Sequence, residues 1–167
     1  FCKSALYFDP VFNSVPGKNS RYFPTSQHKN QTIWMTGQGS SAAFATLMTD
    51  VLPEHVFGAG NPGPSFPRWT YEKVSEDDGL FAASTGEVDE YGYRRLDNIT
   101  DDILAVYREK FGPQVGKDDI FHYVYGVLHS QQYREVFAAD LKRMLPRIPL
   151  AASSADFQAF VDAGRAL

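Results

Sequence analysis

The chain has 167 residues, 43 % of them hydrophobic and 22 % charged, with a formal net charge of −4. That is enough apolar material for one core, and too little positive charge for a protein that binds nucleic acid over its whole surface. One cysteine, Cys2, excludes an internal disulfide framework, and no apolar run approaches the roughly 20 residues of a membrane span. The cysteine count suits a reducing cytosol, so a cytoplasmic protein without a membrane partner is expected. No signal peptide is visible. The chain starts at Phe1 and closes within a helical pattern, so both ends are expected to run on into a longer protein.

The charge is unevenly spread. Residues 1–71 carry a net +2, residues 72–102 a net −7, residues 103–149 a net +2, and the tail −1. The acidity thus falls in one central segment, and the flanks could meet an anion such as a phosphate backbone. Ordinary solvated charge would give the same pattern.

Residues 1–71 are rich in Phe, Tyr, Trp, Pro and Gly, with short strands predicted at Ala5–Phe8, Thr32–Met35, Val56–Phe57 and Phe66–Tyr71. Between them, Ser40 to Met48 reads as a short helix capped by Ser40 or Ser41 and stopped by Pro53. Gly58–Pro67 has too many breakers to be other than a loop. Residues 72–98 read as an acidic connection, mobile over Glu72–Glu90, where Gly79 and Gly86 interrupt a segment of little periodicity.

The remainder, 99–167, reads as about four helices. Thr100 caps the first, with Asp101 and Asp102 favouring its dipole and Ile103, Val106, Tyr107 and Phe111 as the buried stripe. Gly112 and Pro113 end it. A second helix starts near Asp118, with Ile120, Phe121, Val124, Val127 and Leu128 inward. A third follows Ser130, with Tyr133, Phe137, Leu141 and Met144 on one face, and Pro146 and Pro149 terminate it. Ser153 with Asp156 makes a capping box for the fourth. A strand-and-loop half followed by a helical half defines an α+β fold, one domain with parts at 1–71, 72–98 and 99–167.

Catalytic signatures are missing. No glycine-rich loop ends in Gly-Lys-Ser/Thr, so no nucleotide phosphate site is predicted. Gly37 to Ala43 faintly resembles a strand-turn-helix nucleophile, but Ala43 stands where the second glycine belongs, and a helix N-cap explains the serines more simply. His122 and His129 lie two helical turns apart without Cys, Asp or Glu in register, which makes a poor metal site. A hydrogen-bonded histidine at a packed helix corner is the expectation for His129.

The stretch from Asp118 to Leu150, "DDIFHYVYGVLHSQQYREVFAADLKRMLPRIPL", closely resembles a signature in the C-terminal region of Type ISP restriction-modification enzymes. The residues that carry it are Asp119, Ile120, Phe121, Tyr123, Val124, Tyr125, Gly126, Leu128, His129, Ser130, Tyr133, Arg134, Leu145, Pro146, Arg147, Ile148 and Pro149. "FCKSALYFD", "SRYFPTSQHKNQTIWMTGQGSSAAFATLMTDVLPE", "FPRWTYE" and "DFQAFVDAGRAL" resemble further segments of the same region. Gln131 departs from the pattern, where proline is common after the serine; that removes a rigid first residue but leaves Ser130 able to cap.

The resemblance implies the target-recognition domain of a single-chain enzyme that also holds nuclease, ATP-driven translocase, coupling and adenine methyltransferase parts. The implied partners are double-stranded DNA and the preceding methyltransferase and ATPase domains. ATP, Mg and S-adenosylmethionine would belong to those parts, with no cofactor, metal or catalytic residue expected in these 167 residues.

Ser130, Arg134, Lys142 and Arg143 are the candidates for DNA-phosphate contacts, since a helix N-terminus offers free N–H groups and Arg134 lies one turn in. Arg21, Lys29 and Arg68, near loops rich in Asn, Gln and Ser, are candidates for base contacts, with Lys3 and Lys18 beside them. For each, a solvated side chain or a salt bridge is the plain alternative. Arg147, between two prolines, could instead anchor the chain. Tyr123, Tyr125 and Tyr133 read as core, with Gly126 and the proline pair as structural parts of the motif. The rival readings are a structural coupling module with little DNA contact, and a hydrolase using the Gly37–Ala43 turn.

Overall fold

The computed structural model describes residues 19–51, 63–74 and 87–167. The strands expected at Ala5–Phe8 and Val56–Phe57, with Cys2, Lys3 and Lys18, lie outside the described residues. The elements run α1 (Asn19–Tyr22), β1 (Thr32–Met35), β2 (Thr46–Thr49), β3 (Ser65–Pro67), β4 (Trp69–Lys73), β5 (Tyr93–Asp97), α2 (Asp101–Phe111), α3 (Lys117–His129), α4 (Gln131–Val136), α5 (Ala138–Leu141) and α6 (Ser154–Ala166). After the single turn of α1, the strands precede the remaining helices, as expected of an α+β domain.

Among the described residues the strands form two small antiparallel sheets, one in the order β2-β1-β3 and one pairing β4 with β5. The centre strand β1 is buried at all four residues, Thr-Ile-Trp-Met, a run rather than an alternation because both of its faces are covered. Ile33 and Met35 join the same apolar cluster as the helices.

Ser40–Met48 is not a helix. Its end is β2, whose four residues pair with β1, from Thr46 opposite Met35 to Thr49 opposite Thr32. Local polar bonds support the hairpin instead: the Thr36 hydroxyl accepts from Ala45 N–H at 2.9 Å, and the Ser40 hydroxyl accepts from Ala42 N–H at 3.1 Å. Threonines pairing across a strand outweighed the helical reading of the alanines.

A second difference lies in residues 72–98. Tyr93–Asp97 is a strand in full register with Trp69–Lys73, from Tyr93 opposite Lys73 to Asp97 opposite Trp69. The predicted strand Phe66–Tyr71 is accordingly two strands, broken at Arg68. Asn30, 5 % exposed, clips this ribbon to the preceding loop: its amide donates to the carbonyls of Tyr22 and Trp69, and its oxygen accepts from the N–H groups of Gln31 and Trp69. All of its hydrogen-bonding capacity is used, as burial demands.

The helices begin where the caps predict. Thr100 Oγ accepts from Ile103 N–H, and Ser153 Oγ accepts from Asp156 N–H. Gly112, at φ 108, ends α2. The buried stripe of α2 is rotated from the expected one: Tyr107 and Phe111 are buried and Leu104 packs beside them, while Ile103 and Val106 are 46 % exposed. The third predicted helix is broken at Phe137 into α4 and α5. Tyr133 and Leu141 are buried, but Met144 is 40 % exposed.

The core is aromatic. Phe111 and Phe157 stack at 4.5 Å, and Tyr107 and Tyr123 pack on Phe157. Burial pushes the Tyr107 phenol up to about 12. α3 and α6 cross with backbones nearly touching: a Cβ on Gly126 would fall on the Phe160 carbonyl, and one on Gly164 on the His122 carbonyl. An ion pair from Arg165 to Asp119 closes the far end of the crossing.

Gly126→Ala should therefore destabilise the domain by about 1–3 kcal/mol, the usual range for overpacking. The measurement is a lower urea midpoint at unchanged slope. An unchanged midpoint would mean that the helices separate at no cost.

Candidate nucleic-acid interface

The corner between α3 and α4 is built from the signature residues. Ser130, extended at φ −61 and ψ 122, ends α3 and caps α4, its hydroxyl accepting from Tyr133 N–H at 3.3 Å. One turn on, Arg134 bends back, and its Nε donates to the Leu128 carbonyl at 2.6 Å. Its guanidinium also lies 5.6 Å from the Phe44 ring centre. Arg134 is thus half-buried and satisfies a carbonyl that the end of α3 leaves open.

His129 is packed as expected, its ring 4.6 Å from and edge-on to Tyr125. The expected hydrogen bond is not there at Nε2, which is buried without a partner among the described residues. Burial, and then the nearby Arg134 cation, hold its pKa below the ordinary 6.5. His122 instead donates from Nδ1 to the Asp118 carbonyl in its own helix at 2.8 Å. No group of three or more metal-ligating side chains occurs among the described residues.

Three tyrosines use their hydroxyls as ties. Tyr125 accepts from Met48 N–H at 3.1 Å, joining α3 to β2. Tyr133 donates to the Arg147 carbonyl at 2.9 Å and Tyr123 to the Pro149 carbonyl at 2.7 Å. These carbonyls are two residues apart, so the extended Leu145–Pro149 segment is pinned at successive like-facing positions. Pro146 and Ile148 turn partly inward, and the Arg147 side chain is exposed. What anchors Arg147 is its carbonyl.

The cations divide into two kinds. Lys142 and Arg143 are exposed, and the Lys142 carbonyl accepts from Gly39 N–H at 2.8 Å, so the β1–β2 loop lies beside them. Arg21 and Lys29 are also exposed. Arg68 is 4 % exposed: its Nη1 donates to Asp97 and its Nε to Asp118, each at 2.6 Å, and it stacks on Trp69. Lys117 bridges Asp97 and Asp101 beside it. The network ties β5 to α2 and α3.

Sequence reasoning passed over Arg95, which is exposed and stacks on Trp69 at 4.2 Å. The only sequence signal was its period-two spacing from Tyr93, hidden in the acidic segment. It also passed over buried His28, bonded to Thr25 and Asp89 at 2.7 Å each.

The chain belongs to the family described as the Type ISP C-terminal specificity domain, whose model matches residues 1–167. It is similar to a nuclease-deletion mutant of the Type ISP restriction-modification enzyme LlaGI in complex with a DNA substrate mimic, at 36 % identity and a TM-score of 0.68, over 96 % of this chain and 12 % of that one. It is also similar to DrdV in a DNA complex, at 28 % identity and a TM-score of 0.76, over 96 % of this chain and 14 % of that one. The Type ISP enzyme LlaBIII bound to DNA shows the same fold at 24 % identity and a TM-score of 0.65, over 88 % of this chain and 8 % of that one. No curated protein matches.

Arg134→Met keeps the aliphatic stem but leaves the Leu128 carbonyl without its donor. A loss on the order of 1–3 kcal/mol is expected in chemical denaturation. His129 makes a separate prediction. Its pKa is depressed in the fold, so below the ordinary 6.5 the unfolded chain binds more protons. Stability should be complete above that value and fall as the pH drops through it, with a shallower fall in His129→Gln; equal slopes in melting temperature against pH would exclude the effect.

Proposed function

We propose that this domain recognises the DNA target of a single-chain, ATP-dependent restriction-modification enzyme and positions the duplex for linked methyltransferase and translocase or nuclease parts. The observation that carries the reading is the family match across all 167 residues, together with likeness to two DNA complexes over 96 % of the chain. The domain itself would be non-catalytic. ATP, Mg and S-adenosylmethionine would be handled by the rest of the polypeptide, in the cytoplasm. No helix among the described residues is long and apolar enough to cross a membrane.

In this reading Lys142 and Arg143 meet phosphates, carried by the corner that Ser130 and Arg134 shape. Arg21 and Lys29, both exposed, would supply base contacts, with Arg68 holding their scaffold from within. A coupling module with little DNA contact is the second reading. It is favoured by how many signature residues bond internally: Tyr123, Tyr125, Tyr133 and Arg134 all do.

Domain exchange tests the choice. Replacing residues 1–167 in the intact enzyme by the matching segment of a family member of different specificity should transfer the recognised sequence. If the recognised site stays with the remainder of the chain, the coupling reading stands. Independently, Lys142→Ala or Arg143→Ala should weaken cognate and unrelated duplexes alike, and flatten the slope of log affinity against log salt by about one unit.

A further inference from the structure

Resting on that reading, the geometry assigns a further specificity residue: we propose that Arg95 reads a guanine edge in the major groove. Four observations support it. Arg95 is exposed, whereas its neighbour Arg94 is 9 % exposed on the opposite face of the strand. It makes no ion pair among the described residues, and the Asp97 carboxylate two residues on is shared by Arg68 and Lys117. Its guanidinium is instead held by neutral aromatic partners, Trp69 and the Tyr71 hydroxyl, with its remaining donors toward solvent.

The group is also oriented. It lies 4.2 Å from the Trp69 ring centre, a residue on the paired strand, and close enough to Tyr71 that its charge opposes the rise that burial causes in that phenol. A stacked guanidinium keeps its planar fork of donors while losing rotamer freedom before binding, so less is lost on contact. Arginine's fork matches O6 and N7 of guanine, which makes it a base reader rather than a bare charge.

The support is rigid. β4 and β5 form a two-stranded antiparallel ribbon, an element narrow enough for the major groove. Asn30 grips both backbone groups of Trp69, and the Tyr71 hydroxyl donates to the Lys29 carbonyl at 2.9 Å. At the other end of β5, Arg68 and Lys117 fix Asp97. Lys29 and Lys73 are exposed on the same part of the molecule and add positive potential beside the fork. Residues held on paired strands place a fork more sharply than a loop does.

The test is selection of bound duplexes from a randomised library by the intact enzyme, followed by sequencing. Wild type should yield one preferred site that includes a guanine read by Arg95. Arg95→Ala should lose the preference at that position by on the order of 10- to 100-fold, with the other positions unchanged. Arg95→Lys, which keeps the charge but not the fork, should lose it too, and Trp69→Leu should weaken it part way. Circular dichroism melting shows whether each variant is folded; should the alanine variant unfold, the lysine variant decides by the same criterion. A variant that keeps every position of the site, whether or not its affinity drops uniformly, overturns the assignment and makes Arg95 a phosphate contact or a bystander. A wild-type enzyme with no preferred sequence would instead overturn the recognition reading.

Discussion

The close crossing of α3 and α6 is the constraint on which the rest of the domain depends. Two glycines, Gly126 and Gly164, let the backbones approach to where side chains would collide. That approach brings Phe157 onto Phe111 and Tyr123 and lets one aromatic cluster serve α2, α3 and α6 together. With α3 so held, it delivers Tyr125, next to Gly126, to β2 and Tyr123 to the Pro149 carbonyl. The sheets and the extended Leu145–Pro149 segment are thereby hung on one helix.

Electrostatics sorts the basic residues into two populations. Arg68 and Arg134 are drawn inward, where a low dielectric makes a guanidinium expensive unless its donors are met. Asp97 and Asp118 meet the first, and the Leu128 carbonyl meets the second. Lys142, Arg143, Arg21, Lys29 and Arg95 stay outside, where their charge remains available to a polyanion. Asp97 and Asp118 are correspondingly matched by cations on neighbouring elements, Asp97 by both Arg68 and Lys117 and Asp118 by Arg68.

The corner is held together by its own signature residues. Ser130 caps, Arg134 closes the end of α3, and Tyr133 pins the Arg147 carbonyl. The long sequence match therefore marked residues that bond within the domain, and not an exposed one such as Arg95. Arg95 lies in the acidic stretch of the sequence, while its neighbours in space are Trp69 and Tyr71 across a strand pair.

The sequence by itself determined the α+β order, the helix starts at Thr100, Ser130 and Ser153, the stop at Gly112, and the family. Each of these is written in a few consecutive residues, since caps and periodic stripes act over one or two helical turns. Only the tertiary structure decided that Thr46–Thr49 pairs as a strand, that Tyr93–Asp97 leaves the acidic segment for β4, and which way α2 turns its stripe. It also decided that Arg68 is bound within the protein while Arg95 faces out. Strand pairing and charge burial depend on partners far along the chain, such as Asp118, 50 residues from Arg68, and no local pattern encodes them.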